Sequence, residues 1–179
     1  MKLIQAKKIS YDYRRKRKYK DITYIVIHNT ANRGDTALNN CNYFAHTNML
    51  KAGAHIFIDQ QGKGYRSIRM NRTAWSVGGY YTGRNGAGNY YGKCTNYNSV
   101  SIELCDIVGK KPSKKMLKKL KKTIKYIQRR CPNATTIIRH WDVNGKDCPQ
   151  IMAGKNNKVW KDLLNYLGYK KGKKVKWVY

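Results

Sequence analysis

Acidic residues are scarce in this chain of 179 residues. Nine Asp and Glu stand against 38 Lys and Arg, which gives a formal net charge of +29, and Glu103 is the sole glutamate. This imbalance predicts a polyanionic partner, because nucleic acids, teichoic acids, anionic lipid headgroups and anionic glycans are all attracted by such a field. Charge alone does not choose among these partners.

Paired cysteine motifs are also missing. The chain has five cysteines, an odd number, and no two are spaced as Cys-x-x-Cys, which argues against a full disulfide framework and against zinc fingers or knuckles. We therefore expect synthesis in a reducing compartment. Four of the cysteines are expected to be free or buried thiols, namely Cys41, Cys94, Cys105 and Cys131.

Long apolar runs, internal repeats and low-complexity linkers do not occur in the sequence. The N-terminal region lacks the apolar stretch of a signal peptide, and no segment approaches the roughly 20 apolar residues of a membrane span. A target outside the cytoplasm would thus require another factor to release the protein. The length fits one domain, so we predict a basic N-terminal arm at 1–22, a folded domain at 23–167 and a basic aromatic tail at 168–179.

Apolar, β-branched runs alternate with amphipathic segments along the domain, a pattern typical of an α/β fold with a single sheet. Strands are predicted at 23–30, at 98–108, at 135–140 and in a hairpin at 54–68 around Gln61-Gly62. Helices are predicted at 35–47, 113–130 and 157–167.

Three local features refine this pattern. Asp35 is the expected N-cap of the first helix, and the second helix is expected to bury a stripe made of Leu117, Leu120, Ile124 and Ile127. The aromatic, glycine-rich region 78–98 is interpreted as a substrate-facing loop, with a floppy insertion as the alternative. The basic run 14–18 is interpreted as a solvated arm, with contact to the cell wall or to nucleic acid as the alternative.

Two histidines end predicted strands. His28 closes the first strand and His140 closes the last, so their imidazoles converge if those strands are neighbours in one sheet. Cys148 follows His140 on a loop that contains Gly145, which allows the chain to fold back toward the histidines. Two imidazoles and one thiolate form a three-ligand catalytic zinc set that leaves a fourth position for water.

Glu103 and Lys146 have the chemistry that hydrolysis needs beside such a site. Glu103 lies within an apolar strand, where it is either a general acid–base group or an outward-facing residue on the polar side of an alternation. Lys146 stands two residues before Cys148, where its ammonium group could stabilise an oxyanion. In so lysine-rich a chain, only that position distinguishes Lys146 from the other lysines.

These motifs resemble those of the type 2 N-acetylmuramoyl-L-alanine amidases, a family of phage endolysins, bacterial autolysins and peptidoglycan recognition proteins. The resemblance runs from about Tyr24 to Pro149 through the blocks YIVIHNTA, AHIFIDQQGKGYR, AW, NSVSIELC and RHWDVNGKDCP. It implies a central mixed sheet flanked by helices and makes 23–167 the zinc amidase catalytic domain. It also implies one Zn²⁺ on His28, His140 and Cys148, with Glu103 and Lys146 as catalytic groups.

The implied reaction is hydrolysis of the amide between N-acetylmuramic acid and L-alanine of peptidoglycan. Substrate contacts are expected from a set of residues near these motifs, namely Asn29, Thr30, His55, Trp75 and Tyr91. Ser76 and Ser101 depart from the residues found in many members, and Ala54 replaces the catalytic tyrosine of one branch. The base role therefore falls to Glu103.

Two other functions remain open on the sequence alone. A peptidoglycan-binding domain without activity would account for the resemblance, although all three candidate ligands are present. A nucleic-acid binder would account for the charge and the tyrosines, but it leaves the His, Glu, Lys and Cys constellation unexplained, so we do not expect nucleic acid as the partner. We expect the basic surface to attract anionic wall polymers or lipids, and the protein to be made in the cytoplasm of a bacterial host and to reach the wall after release.

Overall fold

A five-stranded mixed sheet lies at the centre of the protein, with helices on both of its faces. The computed structural model describes residues 1–78 and 81–169. The strands are β1 (Tyr11–Asp12), β2 (Tyr24–Asn29), β3 (Ile56–Ile58), β4 (Gly64–Arg66), β5 (Thr73–Ala74), β6 (Ser99–Leu104) and β7 (Thr136–Arg139). The α-helices are α1 (Ala37–His46), α2 (Lys114–Arg130), α3 (Trp141–Asn144) and α4 (Lys158–Leu167).

The strand order in the large sheet is β4-β3-β6-β2-β7. β3, β6, β2 and β7 run parallel to one another, and β4 pairs antiparallel with β3 through the predicted hairpin. β1 and β5 form a separate two-stranded antiparallel sheet that the sequence pattern did not predict. The single-domain α/β fold with a central mixed sheet is therefore confirmed.

Both faces of the central strands are buried, which is why their sequences are continuously apolar. On one face, Ile25, Ile27, Ile102 and Leu104 pack with the apolar stripes of α2 and α4. The other face carries Val26 and the polar side chains that concern function, and loops and α1 cover it. The sheet thus separates a dry core from a polar, chemically active layer.

The predicted α2 is confirmed, but its buried stripe is rotated. Ser113 caps the helix by accepting a hydrogen bond from the Met116 amide at 3.1 Å, and Met116 is fully buried. Leu117, which was predicted to belong to the stripe, is only partly buried. Packing of α2 against the sheet favours the face that contains Met116.

Two other local predictions are wrong. The side chain of Thr36, not Asp35, caps α1 by accepting from the Asn39 amide at 3.1 Å. The segment after His140 was expected to be a loop, but Trp141–Asn144 forms one helical turn. That turn forms because the Asp142 carboxylate accepts from the amide and the guanidinium of Arg139.

The N-terminal segment 1–22 is folded onto the domain. Tyr11 and Asp12 pair with β5, and Ala6 and Ser10 are buried. In the basic run 14–18 the interpretation as a solvated arm is wrong for Arg17, which is buried, whereas the other four residues of the run are exposed. The boundary at residue 22 stays a prediction. Residues 170–179 of the predicted tail lie outside the described residues.

Arg17 is a buried cation that joins three parts of the chain. Its guanidinium donates to the carbonyls of Met70 and Asn96, each at 2.9 Å, and to that of Tyr97. A further nitrogen lies 2.9 Å from Nε2 of His55. Burial lowers the pKa of Arg17 to about 10, so the group stays charged at neutral pH.

The irregular segment 81–98 clamps the loop that follows α3. The Gly83 amide donates to the Asn144 carbonyl at 2.5 Å, and the Asn85 side chain donates to the Gly145 carbonyl at 2.8 Å and to Asp147 at 2.9 Å. A Cβ atom on Gly88 would overlap the carbonyl oxygen of Asp142. Glycine is therefore needed where the two backbones cross.

All five cysteines are buried and free of disulfide bonds, as was expected for Cys41, Cys94, Cys105 and Cys131. Burial raises the pKa of the Cys41 and Cys94 thiols to about 12 and that of Cys131 to about 11. The pKa of Cys105 is raised as well, chiefly by burial and then by the nearby Asp35 carboxylate.

Within residues 1–78 and 81–169, no helix has the length and apolar character that crossing a bilayer requires.

Replacement of Arg17 tests the anchoring of the N-terminal segment. Arg17→Met removes the donors to one buried and two partly buried carbonyls, and unsatisfied buried groups cost about 1–3 kcal/mol each at most. We expect a loss of about 2–4 kcal/mol in the free energy of unfolding, measured in urea. Lys16→Met, at the exposed neighbouring position, should change it by less than about 0.5 kcal/mol. Equal effects of the two substitutions would contradict the anchoring role.

Replacement of Gly88 tests the clamp. Gly88→Ala forces the crossing backbones apart, and we expect a stability loss of about 1–3 kcal/mol with faster tryptic cleavage at Arg84. Gly92→Ala is the matched control in the same segment, because its Cβ meets open space and only its positive φ of 71° is strained. That control should lose about 1 kcal/mol and keep cleavage at Arg84 slow. Similar cleavage rates in both variants would show that Gly88 does not secure the segment.

Candidate functional site

The candidate site is built at the carboxyl ends of three neighbouring parallel strands. In the β2–β6 register His28 lies directly opposite Glu103. On the other side of β2, Ile27 is paired with Arg139, and His140 continues the ladder by donating its amide to the Ile27 carbonyl at 3.2 Å. The carboxyl edge of a parallel sheet is where α/β proteins commonly bind ligands, and here it collects two imidazoles and a carboxylate.

Cys148 reaches this edge because the chain turns back after α3. Gly145 ends α3 in the left-handed conformation with φ 70°, and the Trp141 amide then donates to the Cys148 carbonyl at 2.8 Å. The thiol lies 3.7 Å from Nδ1 of His28 and accepts from the Asn29 amide at 3.4 Å. The candidate ligand atoms of His28, His140 and Cys148 all lie within 4.8 Å of one another.

The two histidines are held in their neutral form. Burial lowers the pKa of His28 well below its usual value, with His140 and Lys146 adding to the effect. Burial and then the charge of Lys146 lower the pKa of His140 to about 4. The rings lie with centroids 4.6 Å apart. Neutral imidazole is the form that binds a metal ion.

The chemistry of this cluster fits a zinc ion. Nε2 of both His28 and His140 is buried without a hydrogen-bond partner among the described residues, which is costly unless something else satisfies them. Burial also raises the pKa of the Cys148 thiol, so a thiolate there requires a nearby cation. A hydrogen bond from the His140 ring to the backbone of Val77 orients that ring, as metal-binding histidines usually require.

Glu103 lies beside the cluster at the edge of an open cleft. Its Oε1 is 4.0 Å from Nδ1 of His28, and its side chain is 18% exposed. The contact is not an ion pair, because the imidazole is neutral and burial raises the pKa of Glu103 to about 8. Lys146 opposes that rise and Asp35 adds to it. The expected alternation is confirmed, since Val100, Ile102 and Leu104 pack in the core on the other face of the sheet, but Glu103 lines the cleft and does not face open solvent.

Two clefts flank the cluster, and Lys146 contributes to both. The first, which we call the α1 cleft, has a volume of about 540 Å³ and is lined by Asn29, Thr30, Asp35, Tyr43, Glu103, Lys146 and Cys148 among others. The second, which we call the Trp75 cleft, has a volume of about 480 Å³ and is lined by Lys51, Trp75, Ser76, Tyr81, His140, Asn144 and Lys146 among others. A long substrate could therefore contact both sides of the cluster.

The predicted substrate contacts fall into three groups. Asn29 and Thr30 line the α1 cleft, where Nδ2 of Asn29 and Oγ1 of Thr30 have no partner within the part of the chain that is described. Trp75 is half-buried in the Trp75 cleft. His55 and Tyr91 lie elsewhere.

His55 has no exposed surface with which to touch a substrate. Its Nδ1 is 3.0 Å from Oγ of Ser101, and its Nε2 is 3.1 Å from the Arg72 carbonyl. Contrary to the prediction, this ring is therefore not placed where a substrate could contact it. Tyr91 stands in the turn that starts at Gly88 and is not among the residues that line the two clefts.

Sequence reasoning missed the place of Asp35 in the site. Its carboxylate lines the α1 cleft, accepts from the Asn40 side chain at 2.6 Å, and leaves Oδ1 without a partner among the described residues. The scarcity of acidic residues was the signal that could have found it, since each carboxylate in so basic a chain is conspicuous. Its position before a helix instead favoured an N-cap.

Comparisons with known proteins agree with this geometry. The family model for N-acetylmuramoyl-L-alanine amidase matches residues 18–151. By sequence, no curated protein matches the chain.

Solved structures show the same fold at low identity. PlyL aligns with a TM-score of 0.71 at 19% identity, over 93% of this chain and 96% of that chain. The catalytic domain of XlyA aligns with a TM-score of 0.64 at 21% identity, over 94% and 100% of the respective chains. N-acetylmuramoyl-L-alanine amidase LysC from Clostridium intestinale URNW aligns with a TM-score of 0.58 at 18% identity, over 95% and 99%. Because the family match spans most of the sequence, this chain belongs to the type 2 N-acetylmuramoyl-L-alanine amidase family.

Proposed function

We propose that the protein hydrolyses the amide bond between N-acetylmuramic acid and L-alanine in bacterial peptidoglycan, with one zinc ion held by His28, His140 and Cys148. The observation that carries this proposal is the convergence of these three buried side chains beside Glu103 on an open cleft. A structural zinc would need a fourth protein ligand, and the clustered residues supply three within the described chain. The site is thus suited to catalysis.

Zinc in this position would supply Lewis-acid chemistry, polarising the scissile carbonyl and making water a better nucleophile. His28, His140 and Cys148 would hold it. The ring of His140 is oriented by Val77, and Cys148 is oriented by the Asn29 amide. The clamp formed by segment 81–98 keeps the Cys148 loop in place.

Glu103 would carry the proton through the reaction. Water adds its oxygen to the lactyl carbonyl carbon, and Glu103 accepts the proton that water loses. When the C–N bond breaks, the same proton passes to the leaving nitrogen of L-alanine, so Glu103 returns to its starting state. Glu103 can accept this proton only as a carboxylate, the form that burial disfavours and the charge of Lys146 favours.

Lys146 and the strand-end residues would bind the reacting groups. Lys146 lines both clefts, so its ammonium group would be available to stabilise the negative charge that develops on the carbonyl oxygen. Asn29 and Thr30 line the α1 cleft, where the stem peptide would lie. Trp75 lines the cleft on the opposite side of the cluster, with Lys51 over its ring.

The partner in this proposal is the bacterial cell wall. The protein would act there as an endolysin-like lytic enzyme after release from the bacterial cytoplasm in which it is made. Its net charge of +29 would draw it to anionic wall polymers or lipids over about a Debye length.

Analysis of the products tests the reaction. Purified walls incubated with the zinc-loaded protein should gain free alanine amino termini and no new reducing sugars. New reducing ends would identify a glycosidase and overturn the assignment. Wall binding without new ends of either kind would identify a binding protein instead.

Substitution of Glu103 separates metal binding from turnover. Glu103→Gln keeps the shape of the side chain but cannot accept the proton, so we expect activity on purified walls to fall about 10²–10⁴-fold with zinc content unchanged. Cys148→Ala should lose zinc, whereas Cys41→Ala, which removes a buried thiol outside the clefts, should retain it. Zinc is measured by atomic absorption on the folded protein. Wild-type lysis by the Glu103 variant would remove Glu103 from the mechanism.

A further inference from the structure

A third cleft lies next to the Trp75 cleft, and the N-terminal segment builds most of it. It has a volume of about 570 Å³, and its lining includes Lys8, Tyr13, Arg14, Arg15, Lys51 and Trp75. We call it the Tyr13 cleft. Because Lys51 and Trp75 line both this cleft and the Trp75 cleft, a continuous surface leads from it to His140 and Lys146.

The Tyr13 cleft has an excess of unpaired positive charge. Lys8, Arg14, Arg15 and Lys51 face one acidic residue, Asp12. The Asp12 carboxylate accepts from the amides of Arg14 and Arg15, at 3.1 and 3.2 Å, instead of pairing with a cation. The ion pairs found within the described chain involve none of these four cations. Such a concave basic surface is complementary to a chain of negative charges.

Aromatic rings hold these cations in place. Lys8 and Arg14 lie over the ring of Tyr13, at 5.3 and 5.5 Å from its centroid. Lys51 lies 4.6 Å from the ring of Trp75. Because side-chain cations already cover these rings, the cleft offers charge more readily than it offers faces for stacking bases. This arrangement favours a phosphate backbone without bases over a single-stranded nucleic acid.

The cleft is preformed by backbone pairing. β1 pairs with β5, and the Trp75 amide donates to the Ser10 carbonyl at 3.2 Å. The Arg72 guanidinium donates to the Tyr13 carbonyl at 2.9 Å. Buried Arg17 then fixes the end of the segment. A preorganised site loses less conformational entropy on binding than a flexible basic tail would.

We propose that the Tyr13 cleft binds the phosphodiester backbone of a polyol-phosphate wall polymer and thereby holds the catalytic clefts against neighbouring peptidoglycan. The inference rests on the proposed function, since the bacterial wall is where such a polymer and the amide substrate occur side by side. A concave cleft fits a single polymer chain better than the flat surface of a membrane. The cleft would attach the protein to the wall through local charge, whereas a separate wall-binding domain attaches it through specific recognition.

Binding to a purified polymer tests this assignment. The probe is fluorescently labelled poly(glycerol phosphate), and binding to the zinc-loaded protein is followed by anisotropy near physiological ionic strength. The combined variant Lys8→Gln, Arg14→Gln and Arg15→Gln should bind roughly tenfold or more weakly. The matched control, Lys114→Gln, Lys118→Gln and Lys122→Gln, removes three charges from the exposed face of α2 and should weaken binding less than about threefold.

Single charge reversals provide a second comparison that disturbs the fold less. Arg15→Glu should weaken binding more than Lys118→Glu, with unchanged thermal unfolding in both. Equal losses in the matched variants, or no binding by the unaltered protein, would overturn the assignment. Tighter binding of a single-stranded DNA with the same number of phosphates would instead make the cleft a nucleic-acid site.

This experiment is independent of amide cleavage, because the probe contains no peptidoglycan. A protein that binds the polymer through these residues but releases no alanine from walls would contradict the proposed function alone. A protein that releases alanine but binds the polymer equally well in both triple variants would contradict this inference alone.

Discussion

The register of three parallel strands, β6, β2 and β7, is the constraint on which the site depends. Ile25, Ile27, Ile102 and Leu104 must face the helical core, and side chains alternate along a strand. His28 and Glu103 are therefore forced onto the opposite face, directly across from each other. A slip of one residue in β2 would bury His28 in the apolar core and move Ile27 into the site. Burial of the isoleucines thus sets the geometry of the imidazoles.

The Cys148 loop is placed by a different kind of interaction. It has no regular strand to align it, and instead glycines allow two backbones to cross at Gly88 and Gly145. Side-chain amides and a salt bridge between Arg84 and Asp147 at 2.5 Å hold the crossing. The site therefore joins a sheet edge that packing makes rigid to a loop that local hydrogen bonds hold in position.

Features with a strong local signal could be predicted from the sequence. The buried strands, the hairpin and the helices α2 and α4 follow from hydrophobic periodicity and from caps such as Ser113 and Asn157. The meeting of His28, His140 and Cys148 followed from strand ends and a glycine-containing loop. These predictions depend on short stretches of sequence and on general rules of sheet topology.

Long-range contacts could not be predicted in this way. The pairing of Tyr11 with Ala74 joins two-residue strands, which are too short to show any periodicity. The burial of Arg17 depends on carbonyls more than 50 positions away, and a basic run in the sequence looks like a solvated segment. Glu103 was ambiguous because alternation distinguishes two faces only when one of them meets solvent, whereas here both are covered.

The burial of the thiols has a consequence for how the protein can be observed. Cys41, Cys94, Cys105 and Cys131 are each at most 4% exposed, and their raised pKa values suppress the reactive thiolate. A thiol-specific reagent can reach these four side chains only when the surrounding core opens. The labelling rate of each thiol therefore measures how often its surroundings open. Cys41 and Cys105 report on the α1 side of the sheet, Cys94 reports on segment 81–98, and Cys131 reports on the end of α2.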